Sequence, residues 1–281
     1  MATGSVDAVK ALRERTGAGM MDCKAALRDS GDDIEKAIDI LRKKGVASAA
    51  KRAGREAKEG LVLAKVNGKK AVLVEANCET DFVARTDDFK NLATMALEET
   101  FSHGENAIAG EKVSHRIAEL SGKIGEKILL KRAKLLQSDK GTFFSYIHSN
   151  NKLGVVVEII AAKTGSSDNA AFQELGKNVA MQIAASNPIC VTRAEVSSAI
   201  LEREKAIFRE EVKGKPENIV EKIIQGKVDK FYQANCLLEQ PFIRDDKTTV
   251  QALLDQVGKT LGDTVQIKQF VRFQLGETVS A

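Results

Sequence analysis

Gly60-Leu61-Val62-Leu63-Ala64-Lys65-Val66-Asn67-Gly68, followed by Ala71-Val72-Leu73-Val74-Glu75-Ala76, is the stretch that decides the fold. Two apolar runs of strand length flank Asn-Gly, the strongest short-range signal for a tight β-hairpin turn. A helix is expected from about Asp88, with Phe89, Leu92, Ala93 and Ala96 facing inward at helical spacing. The same order returns downstream: Gly141-Thr142-Phe143-Phe144-Ser145-Tyr146-Ile147-His148, a turn at Ser149-Asn150-Asn151-Lys152, the run from Leu153 to Ala162, and a helix from Asp168 carrying Phe172, Leu175, Val179 and Ile183. Glu75 matches Glu158 and Phe89 matches Phe172 at one offset, and Gly60 and Gly141 lead the two runs. Each half closes with a further expected strand, Lys127 to Leu136 and Val265 to Leu275. The pattern predicts an α+β fold whose core is an internal duplication, two subdomains with antiparallel sheets and packed helices.

Residues 1 to 53 read as wholly helical. Val6, Val9 and Leu12, then Met20, Cys23 and Leu27, then Ile34, Ala37, Ile38 and Leu41 define three amphipathic faces. Asp32 with Glu35 resembles a capping box for the third helix, and Gly45 is a candidate end for it. The charged, small-residue stretch from Lys51 to Gly60 lacks an apolar face and reads as a linker or a frayed helix end. The expected domains are therefore a helical docking module over 1–53, a first core subdomain over 54–139 and a second over 140–281. The second carries an insertion over about 192–234. There Thr192-Arg193-Ala194-Glu195 can start a helix bearing Val196, Ile200, Ile207 and Phe208, Gly214-Lys215-Pro216 breaks it, and Ile219, Ile223, Ile224, Val228 and Phe231 lie on a returning helix. This antiparallel helical hairpin is either a projecting solvent-exposed element or a partner-binding arm, because its seam is too short, and too interrupted by Arg203, for a coiled coil.

Composition narrows the function. At 281 residues the chain is long enough for two or more domains. Forty-three Lys and Arg against 39 Asp and Glu leave a net charge of +4, and without Trp and with two Tyr there are few stacking platforms, so direct nucleic-acid binding is not expected. Cys23, Cys78, Cys190 and Cys236 lie far apart with no C-x-x-C pair, which fits buried thiols in a reducing compartment better than a disulfide framework or a zinc site. No apolar run approaches the ~20 residues of a membrane span, and the N-terminus has no signal or transit pattern, so the bacterial cytoplasm is the expected location.

Catalytic patterns fail on inspection. Gly258-Lys259-Thr260 resembles the end of a phosphate loop, but Leu253 stands where its first glycine belongs. Gly17-Ala18-Gly19 follows a helix rather than a strand, so it is no dinucleotide fingerprint. His103, His115 and His148 share no metal-ligand spacing, and Asp32-Asp33, Asp87-Asp88 and Asp245-Asp246 sit at expected helix starts or turns, where carboxylates favour the helix dipole. No cofactor and no covalent chemistry are expected. Binding is the expected mode of action.

Thr80-Asp81-Phe82-Val83 places an acid and a large aromatic at the exit of the second strand, among Arg85, Thr86, Asp87 and Asp88. Alone, Phe82 could close its own core or plug another protein. Together with Leu12-Arg13-Glu14-Arg15-Thr16-Gly17-Ala18-Gly19-Met20-Met21-Asp22-Cys23-Lys24, in this order, the segment resembles the elongation factor Ts family, guanine-nucleotide exchange factors of elongation factor Tu. The resemblance runs through nearly the whole chain. It implies a ubiquitin-associated-like helical module, elongation factor Tu in its GDP-bound and nucleotide-free states as partner, GDP release through disturbance of the Mg²⁺ and phosphate-binding elements, and a possible dimer of heterodimers. It also implies that Thr80, Asp81, Phe82 and Val83 dislodge the metal while Arg13, Met20, Met21 and Lys24 hold the partner's nucleotide-binding domain. Met20 also has the spacing of a core residue with Cys23 and Leu27.

Two departures stand out. In Met181-Gln182-Ile183-Ala184, Gln182 occupies a position where members commonly carry a partner-wedging histidine, so Gln182 is expected to make an altered contact. The sequence ends at Ala281, soon after the last expected strand, where longer members carry a terminal helix. The competing reading is a helical adaptor fused to an interaction core, without exchange activity.

Overall fold

The computed structural model describes residues 5–163, 165–214 and 216–278. It opens with α1 (Val6–Thr16), α2 (Met20–Ser30) and α3 (Ile34–Arg52). Ser5 caps α1 by accepting the Ala8 N–H at 3.1 Å, and Gly17 and Gly31 end α1 and α2 in the left-handed region. Val9, Leu12, Cys23, Ala26, Leu27 and Ala37 form their common core. Val6 does not join it, being 65% exposed. At about 100° per residue it lies roughly 120° around the helix from Leu12. The cap of α3 is Asp33 rather than Asp32: Asp33 Oδ1 accepts the Lys36 N–H at 3.1 Å, while Asp32 takes a φ of 66° in the turn.

The first hairpin pairs β1 (Glu59–Asn67) with β2 (Lys70–Cys78) around Gly68, whose φ of +55° suits the expected turn. A one-turn helix α4 (Asp81–Ala84), then α5 (Asp87–His103), a 3₁₀ turn (Glu105–Ala109), α6 (Glu111–Ile124) and β3 (Ile128–Gln137) complete the first half, with strand order β1-β2-β3. Phe89, Leu92, Ala93 and Leu120 pack on Leu61, Ala76 and Ile128. Gly45 does not end α3. The helix runs on because α6 crosses there: a Cβ on Gly45 would lie 3.2 Å from the Ala118 carbonyl oxygen, and one on Gly122 3.4 Å from the Gly45 Cα. This glycine is a contact residue, not a stop.

The second half repeats the plan. β4 (Thr142–Ile147) pairs antiparallel with β5 (Leu153–Ala161), Phe144 opposite Val157 and Tyr146 opposite Val155. Helix α7 (Ala170–Ser186) covers them, burying Phe172, Leu175, Val179 and Ile183. The inserted α8 (Ser198–Glu211) and α9 (Glu217–Asn235), a small antiparallel pair β6 (Pro241–Phe242) and β7 (Asp245–Thr249), α10 (Val250–Leu261) and β8 (Val265–Gln274) follow. Strand order β4-β5-β8 mirrors β1-β2-β3, the third strand lying beside the second strand of the hairpin in both. The insertion's first helix starts later than expected. Glu195 folds back to accept the Val191 N–H and the Thr192 hydroxyl, which closes a 3₁₀ turn, and Ser197 then caps α8. Val196 is consequently extended and outside the helix. Val212, Ile224 and Val228 form the buried seam of the helical hairpin with Leu201, Phe208 and Val220 around them; Lys215 lies outside the described residues.

By packing, the chain divides into two compact units: the chain up to Leu63 with Val72–Leu135 and the segment from Phe273 on, and Ala64–Ala71 with Leu136–Arg272.

Candidate functional site

The exit of β2 is fixed by a carboxylate that no motif marks. Glu126 Oε2 accepts the backbone N–H groups of Glu79 and Thr80 at 3.1 and 3.0 Å, and its Oε1 accepts the Thr80 hydroxyl at 2.6 Å. Glu79 in turn accepts the Lys127 N–H at 2.6 Å and an Arg55 guanidinium N–H at 3.2 Å. The Lys127 amide first, and Arg55 after it, hold the Glu79 carboxyl below its ordinary value. Just before them, the Cys78 thiol donates to the Thr80 carbonyl at 3.1 Å. Burial, reinforced by Glu126, pushes that thiol up to about 12, so little of it is thiolate at neutral pH.

From this base the backbone turns into α4. Thr80 Oγ1 accepts the Val83 N–H at 3.4 Å as its cap. Thr86 Oγ1 donates to the Val83 carbonyl at 2.8 Å and caps α5 by accepting the Phe89 N–H at 3.4 Å. A single turn held at both ends has one side that must face the core, and Val83 takes it, 7% exposed beside Phe89 and Leu92. Its neighbour Phe82 must then point away, and it is 78% exposed. Core closure is therefore performed by Val83, and Phe82 is displayed. Asp81 pairs across one turn with Arg85 at 2.7 Å, an exposed pair of small energetic weight.

The other sequence-predicted residues divide. Arg13 and Lys24 are exposed, Met20 is 43% and Met21 77% exposed. Met20 is thus outside the core that Cys23 and Leu27 share. Gln182 behaves differently. It is fully buried on α7 and lies in the unit that does not contain Phe82. Its Nε2 donates to Ser186 Oγ at 3.0 Å, Gln240 Oε1 at 3.2 Å and the Pro241 carbonyl at 3.1 Å, and its Oε1 accepts the Ile243 N–H at 2.8 Å. In this conformation it presents no atom to a partner. It anchors the β6–β7 turn, where Ile243 is 43% exposed. Among the described residues no cluster of three His, Cys, Asp or Glu side chains is arranged to hold a metal, and no helix is long and apolar enough to cross a membrane.

Comparison with known proteins finds relatives over almost the whole length of the chain. The family model described as elongation factor TS matches residues 79–277, from the Glu126-held strand exit through β8. The chain belongs to the elongation factor Ts family. The elongation factor Ts of Prosthecochloris aestuarii is 46% identical over 284 residues, covering 95% of this chain and 97% of the relative. That of Nitratidesulfovibrio vulgaris is 47% identical over 278 residues, covering 97% and 96%, and that of Clostridium kluyveri 42% over 286 residues, covering 96% and 92%. These alignments also take in most of the helices that precede Glu79.

Proposed function

We propose that the chain is a translation elongation factor that binds elongation factor Tu and promotes GDP release, so that GTP can reload, acting by binding and not as an enzyme of covalent chemistry. Membership of the elongation factor Ts family supports the partner. The observation that carries the mechanism is Phe82, an aromatic side chain held out at 78% exposure by a turn whose backbone is fixed at both ends.

A factor that releases a nucleotide must bind its partner more tightly once the nucleotide has gone, and by linkage the nucleotide weakens the factor's binding by the same free energy. Nucleotide affinity in P-loop GTPases rests on backbone amides around the phosphates and on Mg²⁺. Burying the Phe82 ring in a partner pocket is worth roughly 1.5 to 3 kcal/mol, enough to offset a local distortion of those elements. Since hydrogen bonds already hold the turn's backbone at both ends, little of that gain is lost to ordering the intruder. Asp81, released from its weak surface pair with Arg85, offers an anionic acceptor to the metal's water shell. Arg13, Met20, Met21 and Lys24 supply two adaptable apolar side chains and two cations for docking, and Thr80 and Val83 hold Phe82 in place. The bacterial cytoplasm is the compartment in which such a factor works.

The test is release of a fluorescent GDP analogue from purified elongation factor Tu. The chain should accelerate release, and Phe82→Ala should cut that acceleration at least tenfold while leaving the melting temperature unchanged. Binding without acceleration by the unmodified chain would instead identify an adaptor.

A further inference from the structure

Two thiols separated by 46 positions meet at the root of the inserted hairpin. The Cys190 and Cys236 sulfurs are 3.6 Å apart and both are free. Their residues form an isolated parallel bridge, flanked by hydrogen bonds from the Ile189 N–H to the Asn235 carbonyl at 2.9 Å and from the Leu237 N–H to the Cys190 carbonyl at 3.0 Å. Cys190 immediately precedes the turn that leads into α8, and Cys236 immediately follows α9. Arg193 fastens the same root, its guanidinium donating to Glu239 Oε2 at 2.6 Å and Asp229 Oδ1 at 3.1 Å and lying 4.5 Å over the Tyr232 ring. The backbones are thus registered before any covalent bond forms. A disulfide needs the sulfurs only to close from contact distance to about 2.05 Å.

We propose that Cys190 and Cys236 are an oxidation site at which a peroxide forms a disulfide that clamps the root of the α8–α9 hairpin. Cys190, 7% exposed against 0% for Cys236, is the residue of the pair nearer solvent and is assigned the first attack. Its thiolate attacks one peroxide oxygen, the O–O bond breaks, and Cys190 sulfenic acid and hydroxide result. The Cys236 thiolate then attacks the Cys190 sulfur, the S–O bond breaks and hydroxide leaves. With the two thiol protons the products are one disulfide and two waters; both sulfurs are oxidised and the peroxide is reduced. Burial raises both thiols, Cys190 to about 12, so thiolate is scarce at neutral pH and the reaction is slow. The site records sustained oxidant rather than brief pulses.

The experiment treats the folded, fully reduced chain with hydrogen peroxide for hours and maps its peptides by mass. The expected product is a monomer that has lost two hydrogens in a linked pair of peptides holding Cys190 and Cys236, restored by a dithiol reductant. Amide exchange at Leu237 and Leu238, which donate to the carbonyls of Cys190 and Val191, should slow in that product. In Cys236→Ala the linkage should vanish, and Cys190 should stop at a sulfenic acid trapped by a 1,3-dione. Oxidation of the exposed Met21 shows that peroxide has acted. Its oxidation with both thiols intact, linkage to Cys23 or Cys78 or between molecules, or a link that forms only in urea would each overturn the proposal.

Discussion

Side chains that a partner would touch and side chains that hold those in place are different residues here, and substitution separates them. Phe82 spends no energy on its own fold, so its loss should change stability by no more than about 0.5 kcal/mol. Glu126 is the opposite case. Alanine there leaves the Glu79 and Thr80 amides and the Thr80 hydroxyl without their acceptor. That should cost about 1 to 3 kcal/mol and loosen the turn under Phe82. We expect Glu126→Ala to reduce GDP release although Phe82 is unchanged, and Glu126→Gln, which keeps an acceptor oxygen, to restore most of it; equal loss in both variants would contradict the positioning role. Gln182→Ala strips the acceptor from the Ile243 N–H and the donor from Gln240 and Pro241. Its effect should appear as a melting temperature lowered by the equivalent of about 1 to 3 kcal/mol, and an unshifted melt would contradict the anchoring role.

The elements were legible where local chemistry and tertiary role coincide. Asn67-Gly68, the matched Phe89 and Phe172 and the matched Glu75 and Glu158 announce a duplicated hairpin and helix, and strand orders β1-β2-β3 and β4-β5-β8 carry the duplication. Gly45 misled because a helix-ending glycine and a glycine admitting another helix look alike in one strand of sequence; only the approach of Ala118 distinguishes them. Helix α6 is not among the expected elements although Val113, Ala118 and Leu120 are buried on it. No local pattern marks Glu126, because its acceptor role depends on a return of the chain 46 positions later, and the partner contact expected of Gln182 fails to anticipate its burial, because that burial comes from the β6–β7 turn. Acid should act at these junctions. Lys123 first, with Arg116, holds Asp88 below the ordinary carboxylate value and ties α5 to α6, and Glu79 is lowered at the β2 exit. Groups lowered in the folded state stabilise it above their unfolded pKa and lose that contribution as pH falls through the folded one. Chemical denaturation should therefore show a stability plateau at neutral pH and a decline only below about 4.5, the ordinary value for Glu79. Asp88→Asn should make that decline shallower; an unchanged slope would remove Asp88 from the linkage.

For the whole molecule, docking and release are expected to be separable free energies, and a thermodynamic cycle distinguishes them. Let the factor bind nucleotide-free elongation factor Tu more tightly than the GDP form by some ratio; reciprocity requires the factor to weaken GDP affinity by that same ratio. Arg13, Met20, Met21 and Lys24 lie on the helical module, and the contacts proposed for them are expected not to depend on what occupies the nucleotide site. Met21→Ala, removing a side chain that is 77% exposed, should weaken binding to both forms by one common factor and leave the ratio untouched. Phe82 is expected to gain its burial only where it displaces the elements that hold Mg²⁺ and phosphate. Phe82→Ala should accordingly weaken binding to the nucleotide-free form by about tenfold or more, the equivalent of the roughly 1.5 to 3 kcal/mol in a buried Phe, and barely affect the GDP form. Calorimetric titration of the unmodified chain and both variants against both forms of elongation factor Tu yields the three ratios. If Met21→Ala collapsed the ratio, or Phe82→Ala preserved it, release would originate in the helical module and Phe82 would be one more anchor.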